Sequence, residues 1–364
     1  MGLSLSAFDG IAVAVIGPGG FIRARAIEFA MTTDRINNTN SVLMLMAAGA
    51  AFVAPFEIFL LSYAILGPLH YLTELSWLYD RDCFLAGRGD YFPLIVLCFA
   101  VIVIPVTHWP SARTSEFAAM MNYAAFAFAA VLLWARTAKR RVVGCGVMAL
   151  LLPVVANSEL CRVFFWPLLP TIIHVFIFTG AFILLGALRG RSKSALASLV
   201  VLGLCTLVFF CVPMMPIHAV SSYARAAYAP FEHINWIVMN ALRLTPAGSA
   251  DPLYESPQGL AVMRFIAFAY LHHYLNWFSK TSIIKWNRIS RARGATIVSL
   301  WFASLWIIAH HGAAGSMLLA SLSYAHGFLE LPLDHKTFVY IARELRASKG
   351  ARFSPGLLYQ RTEL

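Results

Sequence analysis

Residues 195–217 read ALASLVVLGLCTLVFFCVPMMPI, a run without one charged side chain. A hydrocarbon core of about 30 Å is crossed by about 20 apolar residues in a helix, so this run is long enough to span a bilayer. Arg189, Arg191 and Lys193 stand immediately before it. The same pattern recurs along the chain. Candidate spans run roughly over 42–66, 92–107, 117–135, 142–156, 160–188, 195–217, 258–279 and 296–322. FEHINWIVMNALRL (231–244) offers a re-entrant helix or a short ninth span. The expected architecture is all-α: a polytopic integral membrane helix bundle of about eight or nine transmembrane helices. It divides into an N-terminal amphipathic or loop segment (1–41), a single transmembrane domain (42–341) and a basic C-terminal tail (342–364).

Composition points the same way. Of 364 residues, 60% are apolar and 12% charged, where a soluble domain carries about 25% charged residues. The net charge of +11 does not point to nucleic acid, because the cations sit in short clusters between apolar runs. That is the positive-inside pattern of a multi-pass protein, in the inner or plasma membrane if the source is bacterial. Arg136, Lys139, Arg140 and Arg141 form one cluster; Arg189, Arg191 and Lys193 a second; Lys280, Lys285, Arg288, Arg291 and Arg293 a third. The tail cations Arg343, Arg346, Lys349 and Arg352 fall on the wrong side if a single span follows residue 294. Either the last segment re-enters or one more helix is present. Six scattered cysteines without a CxxC argue against a disulfide framework or a zinc finger. IAVAVIG (11–17) is too short for a secretory signal and lacks a preceding basic residue. No P-loop, dinucleotide fingerprint or HExxH occurs, and GPGG (17–20) is too short to mean phosphate binding.

Ionisable groups inside a membrane are costly and mark function by default. Eleven histidines are therefore the informative residues. His70 and Glu74, in GPLHYLTEL, are four apart and share a helix face; so do His326 and Glu330, in YAHGFLELPLDH, where Pro332 is expected to end the helix and Asp334 and His335 to be solvated. These two segments also share a short echo, LSYA followed by H-x3-E-L. The doublet His272–His273 lies about two turns before Lys280. The doublet His310–His311 falls well inside the 296–322 run. Glu232 and His233 are adjacent in FEHINW. His174 is mid-span and can join the cluster. His108 and His218 read as a span end and a loop residue. Glu159 and Arg162 are placed to pair across one turn.

Histidine with carboxylate is a ligand set for a divalent metal, with iron favoured and zinc possible; the shortage of thiolates disfavours soft metals. In this reading His70, His233, His272, His273, His310, His311 and His326 are metal ligands, and Glu74, Glu232 and Glu330 complete the shell or act as catalytic bases. A site within the bilayer implies a membrane lipid or another lipid-soluble substrate. An electron donor would meet the basic cytoplasmic loops, and no nucleic acid is involved. In kind, the set resembles the His-rich integral membrane oxygenases, both the desaturase and hydroxylase class and the bacterial carotene-cleaving enzymes. The HxxxH and HxxHH boxes of the desaturase class are absent, since no histidine lies three or four residues before either doublet, so no residue role carries over. Two other classes use the same residues: a proton-coupled transporter with a His/Glu relay, and a metal-independent or Mg-dependent lipid transferase or hydrolase, for which WLYDRD (77–82) supplies Asp80 and Asp82.

Overall fold

The computed structural model describes residues 21–80, 89–106, 111–135, 137–212, 219–244 and 251–353. His108, His218, Asp82, Pro213, Pro216 and the GPGG stretch lie outside them. All regular structure among the described residues is helical. In chain order the helices are α1 (Phe21–Val53), α2 (Pro55–Asp80), α3 (Phe92–Val106), α4 (Ser111–Trp134), α5 (Ala138–Asn157), α6 (Glu159–Gly190) and α7 (Lys193–Cys211). Three short helices follow: α8 (Ser222–Tyr228), α9 (Glu232–Ala241) and α10 (Pro252–Glu255). Then come α11 (Pro257–Ser279), the single turn α12 (Thr281–Ile284), α13 (Arg291–His310) and α14 (Gly312–Phe353).

Seven of these hold a stretch long and apolar enough to cross a membrane: α1, α2, α4, α5, α6, α7 and α13; the apolar part of α3 is shorter. Helices α5 and α13 turn Val142, Leu150, Leu300 and Phe302 outward, a surface suited to lipid rather than water. Several starts are capped by the residue type expected there. The side chains of Thr137, Ser192, Ser256 and Ser290 accept from the backbone N–H three residues on, each satisfying a donor the helix leaves open.

Helix α11 is the axis of the bundle. Almost every side chain from Gly259 to Trp277 is buried, because α1, α2, α6, α7, α9 and α10 all pack on it. At its start α10 comes so close that a Cβ on Gly259 would lie 2.3 Å from the Pro252 carbonyl oxygen and 2.5 Å from that of Leu253. Helix α14 packs on α2, α3, α4, α6 and α13.

Three features differ from the sequence reading. The 296–322 run is not one helix: the chain breaks at His311, with φ −132° and ψ 74°, and α14 packs back on α13. Pro332 does not end α14, which continues to Phe353; neighbours in a tight bundle tolerate the lost backbone bond. The boundaries drawn at 41 and 341 both fall inside helices, α1 and α14.

The break at His311 accounts for the tail. Arg189 on α6 pairs with Glu344 on α14 at 3.6 Å, and Ser192 donates to Asp34 of α1 at 3.3 Å. Arg293 pairs with Asp80 at the end of α2. Arg141 grips Asp90 through two bonds of 2.6 and 2.9 Å. The tail thus returns to the end of the bundle that carries the basic clusters. At the other end Arg162 bridges Glu159 and Glu116, extending the local pairing expected from sequence, and Arg225 bridges Asp251 and Glu255.

Candidate metal centre

The two HxxxE segments meet. His70 and His326 have ring centroids 5.3 Å apart, and one turn further along each helix Glu74 and Glu330 turn their carboxyl groups to the same cluster, against His70 and His174 respectively. α2 and α14 therefore run parallel, offering the same pair of side chains at the same depth. His273 of α11 brings its Nε2 to 3.0 Å from that of His70. His174 of α6 brings its Nε2 to 3.0 Å from that of His326. The cross distance between His174 and His273 centroids is 5.3 Å, so the two pairs form one four-membered cluster. None of the four histidines is more than 8% exposed. Two overlapping triads, His70/His273/His326 and His174/His326/Glu330, have candidate ligand atoms all within 4.8 Å of one another. His326 belongs to both.

Local backbone explains how α6 contributes. Phe164–Phe178 is wound as a π-helix and contains Pro167 and Pro170, whose missing N–H groups loosen the α ladder. In an α-helix, residues five apart point about 140° apart. In a π-helix, where bonds join i and i+5, they lie nearly one above the other. His174 and Thr179 are five apart and both face the cluster: Thr179 Oγ1 lies 2.9 Å from His273 Nδ1.

Hydrogen bonds fix which nitrogens face inward. Thr179 donates its hydroxyl proton to the Val175 carbonyl at 3.0 Å, so its oxygen accepts from His273 Nδ1–H. His326 Nδ1–H donates to the Leu322 carbonyl at 3.3 Å. Both rings therefore turn an unprotonated Nε2 toward the centre, the arrangement outer partners impose on metal-bound histidines.

The donor set fits a divalent ion. Glu74 Oε2 stands 3.1 Å from His70 Nε2 and Glu330 Oε2 3.6 Å from His174 Nε2. Neither oxygen has a hydrogen-bond partner among the described residues. Buried carboxylate oxygens are expensive unless paired or bound to a cation. Nitrogens held at about 2.1 Å from one ion and at right angles to each other stand about 3.0 Å apart, against about 3.4 Å at the tetrahedral angle. Both Nε2 pairs match the first value.

Aromatic rings wall the centre. Tyr71 stacks on His326 with centroids 4.2 Å apart, and its hydroxyl meets that of Tyr274 at 2.7 Å. Trp277 lies 5.4 Å from His70 and donates to Thr73 at 3.1 Å. This packing excludes bulk water and strengthens every electrostatic contact inside.

The remaining residues singled out from sequence lie elsewhere. His272 is buried on another face of α11, parallel to the Phe268 ring. His233 is exposed and bonded to the Pro230 carbonyl at 3.1 Å. Glu232 accepts from Tyr254 at 2.7 Å. His310 and His311 are exposed where α13 ends, both against Trp306. His335 reaches the Phe126 carbonyl at 2.8 Å.

Asp334, expected to be solvated, is 1% exposed, and neither of its carboxyl oxygens has a hydrogen-bond partner among the described residues. Asp334→Leu removes both unsatisfied oxygens at similar volume. It is expected to raise stability by about 1–3 kcal/mol, read as a higher thermal midpoint in detergent. A lower midpoint would mean that the carboxylate serves a partner in the folded protein.

No protein-family model, curated protein or solved structure matches this chain. The functional argument therefore rests on the geometry of the site.

Proposed function

We propose that the chain is an integral membrane metalloenzyme, an iron-dependent oxygenase, desaturase or hydroxylase acting on a lipid-soluble substrate. The carrying observation is the convergence of His70, His174, His273 and His326 with the carboxylates of Glu74 and Glu330 in a buried, aromatic-walled site. The four imidazoles and Glu330 would hold the ion. Imidazole and carboxylate donors together suit non-haem iron, which when bound would supply dioxygen activation to the site. Thr179 and the Leu322 carbonyl keep two ligand rings in the correct tautomer. Tyr71 and Trp277 hold His326 and His70 in place and keep water out. Glu74, 3.1 Å from His70 Nε2, can take or pass a proton at its carboxyl oxygens. The aromatic walls around the centre favour an apolar substrate taken from the membrane. The basic clusters at one end favour that end as cytoplasmic and as the side where an electron donor would dock.

The test is elemental analysis of detergent-purified protein together with oxygen uptake on addition of membrane lipid extract. Iron near one per chain, with uptake that depends on the extract, is the expected result. Bound zinc without oxygen uptake would turn the assignment toward metal-assisted hydrolysis. Absence of any bound metal, with proton-coupled solute flux in liposomes, would replace the enzyme by a carrier using the same residues as a relay.

A further inference from the structure

Three of the outward-facing ring nitrogens in the cluster are accounted for by the protein or by close packing. His273 Nδ1 meets Thr179, His326 Nδ1 meets Leu322, and His70 Nδ1 is sealed without a partner among the described residues. His174 is different. Its Nδ1–Cε1 edge faces Gly327, where a Cβ would come no nearer than 3.8 Å. On this side lies a cavity of about 20 Å³, counted as space open to the centre of a water-sized sphere, lined by His174, Asn122, Tyr324, Gly327, Phe178 and Leu331 among others.

Asn122 is the telling residue. It is buried, and its side-chain N–H donates to the Ala118 carbonyl at 2.8 Å. That bond fixes the amide orientation, since a carbonyl cannot accept from another carbonyl. Asn122 Oδ1 is left as a buried acceptor with no hydrogen-bond partner among the described residues. Tyr324 and Ser323 bring hydroxyl-bearing side chains to the lining of the same cavity. A cavity of at least about 10–15 Å³ on this measure admits one water, provided that two to four polar partners line it. An apolar diatomic molecule would leave the Asn122 oxygen unsatisfied.

We propose that this cavity binds one water molecule, which accepts from His174 Nδ1–H and donates to Asn122 Oδ1, making Asn122 the positioning residue for His174. The inference rests on the reading of the four histidines as a metal centre. It supplies for His174 what Thr179 supplies for His273: an outer partner that directs the Nε2 lone pair inward. Removing such partners costs about 10–100-fold in metal affinity.

The test uses Asn122→Leu, which removes the acceptor, and Gly327→Ala, which leaves Asn122 intact and places a methyl group in the cavity at ordinary contact distance from His174. Zinc affinity is measured by chelator competition. The cobalt-loaded proteins are compared for the hyperfine-shifted, exchangeable imidazole N–H resonances. Both variants should bind zinc about 10–100-fold more weakly and lose or shift a single exchangeable resonance, with thermal midpoints of the metal-free proteins unchanged. Native affinity and an unchanged spectrum in Gly327→Ala would overturn the inference, even if Asn122→Leu fails to fold. If His326→Ala loses zinc while both cavity variants keep it, only this inference falls. If the wild type binds neither ion, the metal reading falls and takes the inference with it.

Discussion

His326→Ala, purified beside His310→Ala, is expected to lose its bound metal while His310→Ala keeps a full complement. In the sequence His310 looks the better placed, well inside the 296–322 apolar run, whereas His326 lies beyond its end. In the fold His326 is shared by both ligand triads, stacked beneath Tyr71 and aimed by the Leu322 carbonyl. His310 is exposed at a helix end and bonded to the Trp306 carbonyl at 2.9 Å. Loss of an outer partner costs about 10–100-fold in affinity, and loss of a ligand belonging to both triads should exceed the upper figure. Metal per chain by elemental analysis, with the helical content of both variants compared, decides the matter. Equal metal in the two proteins would remove His326 from the centre and sink the assignment of the cluster.

Gly259→Val should fail to accumulate as folded protein. A Cβ there meets two backbone carbonyl oxygens at 2.3 and 2.5 Å, neither of which can swing away as a side-chain tip does. Either α10 is pushed off or α11 slides. α11 is buried along nearly its whole length and carries His273 about four turns further on. Clashes of this kind belong to the small class of substitutions costing more than about 4 kcal/mol, a large part of the stability of an ordinary domain. Size-exclusion profile and thermal midpoint in detergent provide the readout. A well-folded Gly259→Val protein with native metal content would show that the α10–α11 contact is dispensable.

The bundle was legible from apolar run length, because the bilayer dictates that length. The break at His311 was not, since a helix bend between two apolar halves leaves no trace in hydropathy. Its one indirect sign was the tail charge on the wrong side. At the centre, the HxxxE pairs on α2 and α14 were readable because spacing four puts both groups on one face. The doublets were only half readable. Adjacent helical residues point about 100° apart, so at most one of His272 and His273 can face a given neighbour, and only packing says which. His174 stood out as a mid-span histidine, but nothing local tied it to Thr179. A spacing of five signals a shared face only once the backbone is known to be π-wound. Asn122 acts through a cavity, and cavities belong to the assembled fold.

The order in which the four histidines occur along the chain has a consequence for biogenesis. α2, α6 and α11 leave the ribosome before α14, so His70, His174 and His273 exist in the membrane while the fourth side of the site is still open to exchange. The insertion of α14 brings His326, Glu330 and the surface that stacks on Tyr71 together, and completes that side of the site. On the proposed metal reading, charging the site would accompany membrane insertion rather than later equilibration. A chelator should act strongly on the nascent protein and slowly on the finished one.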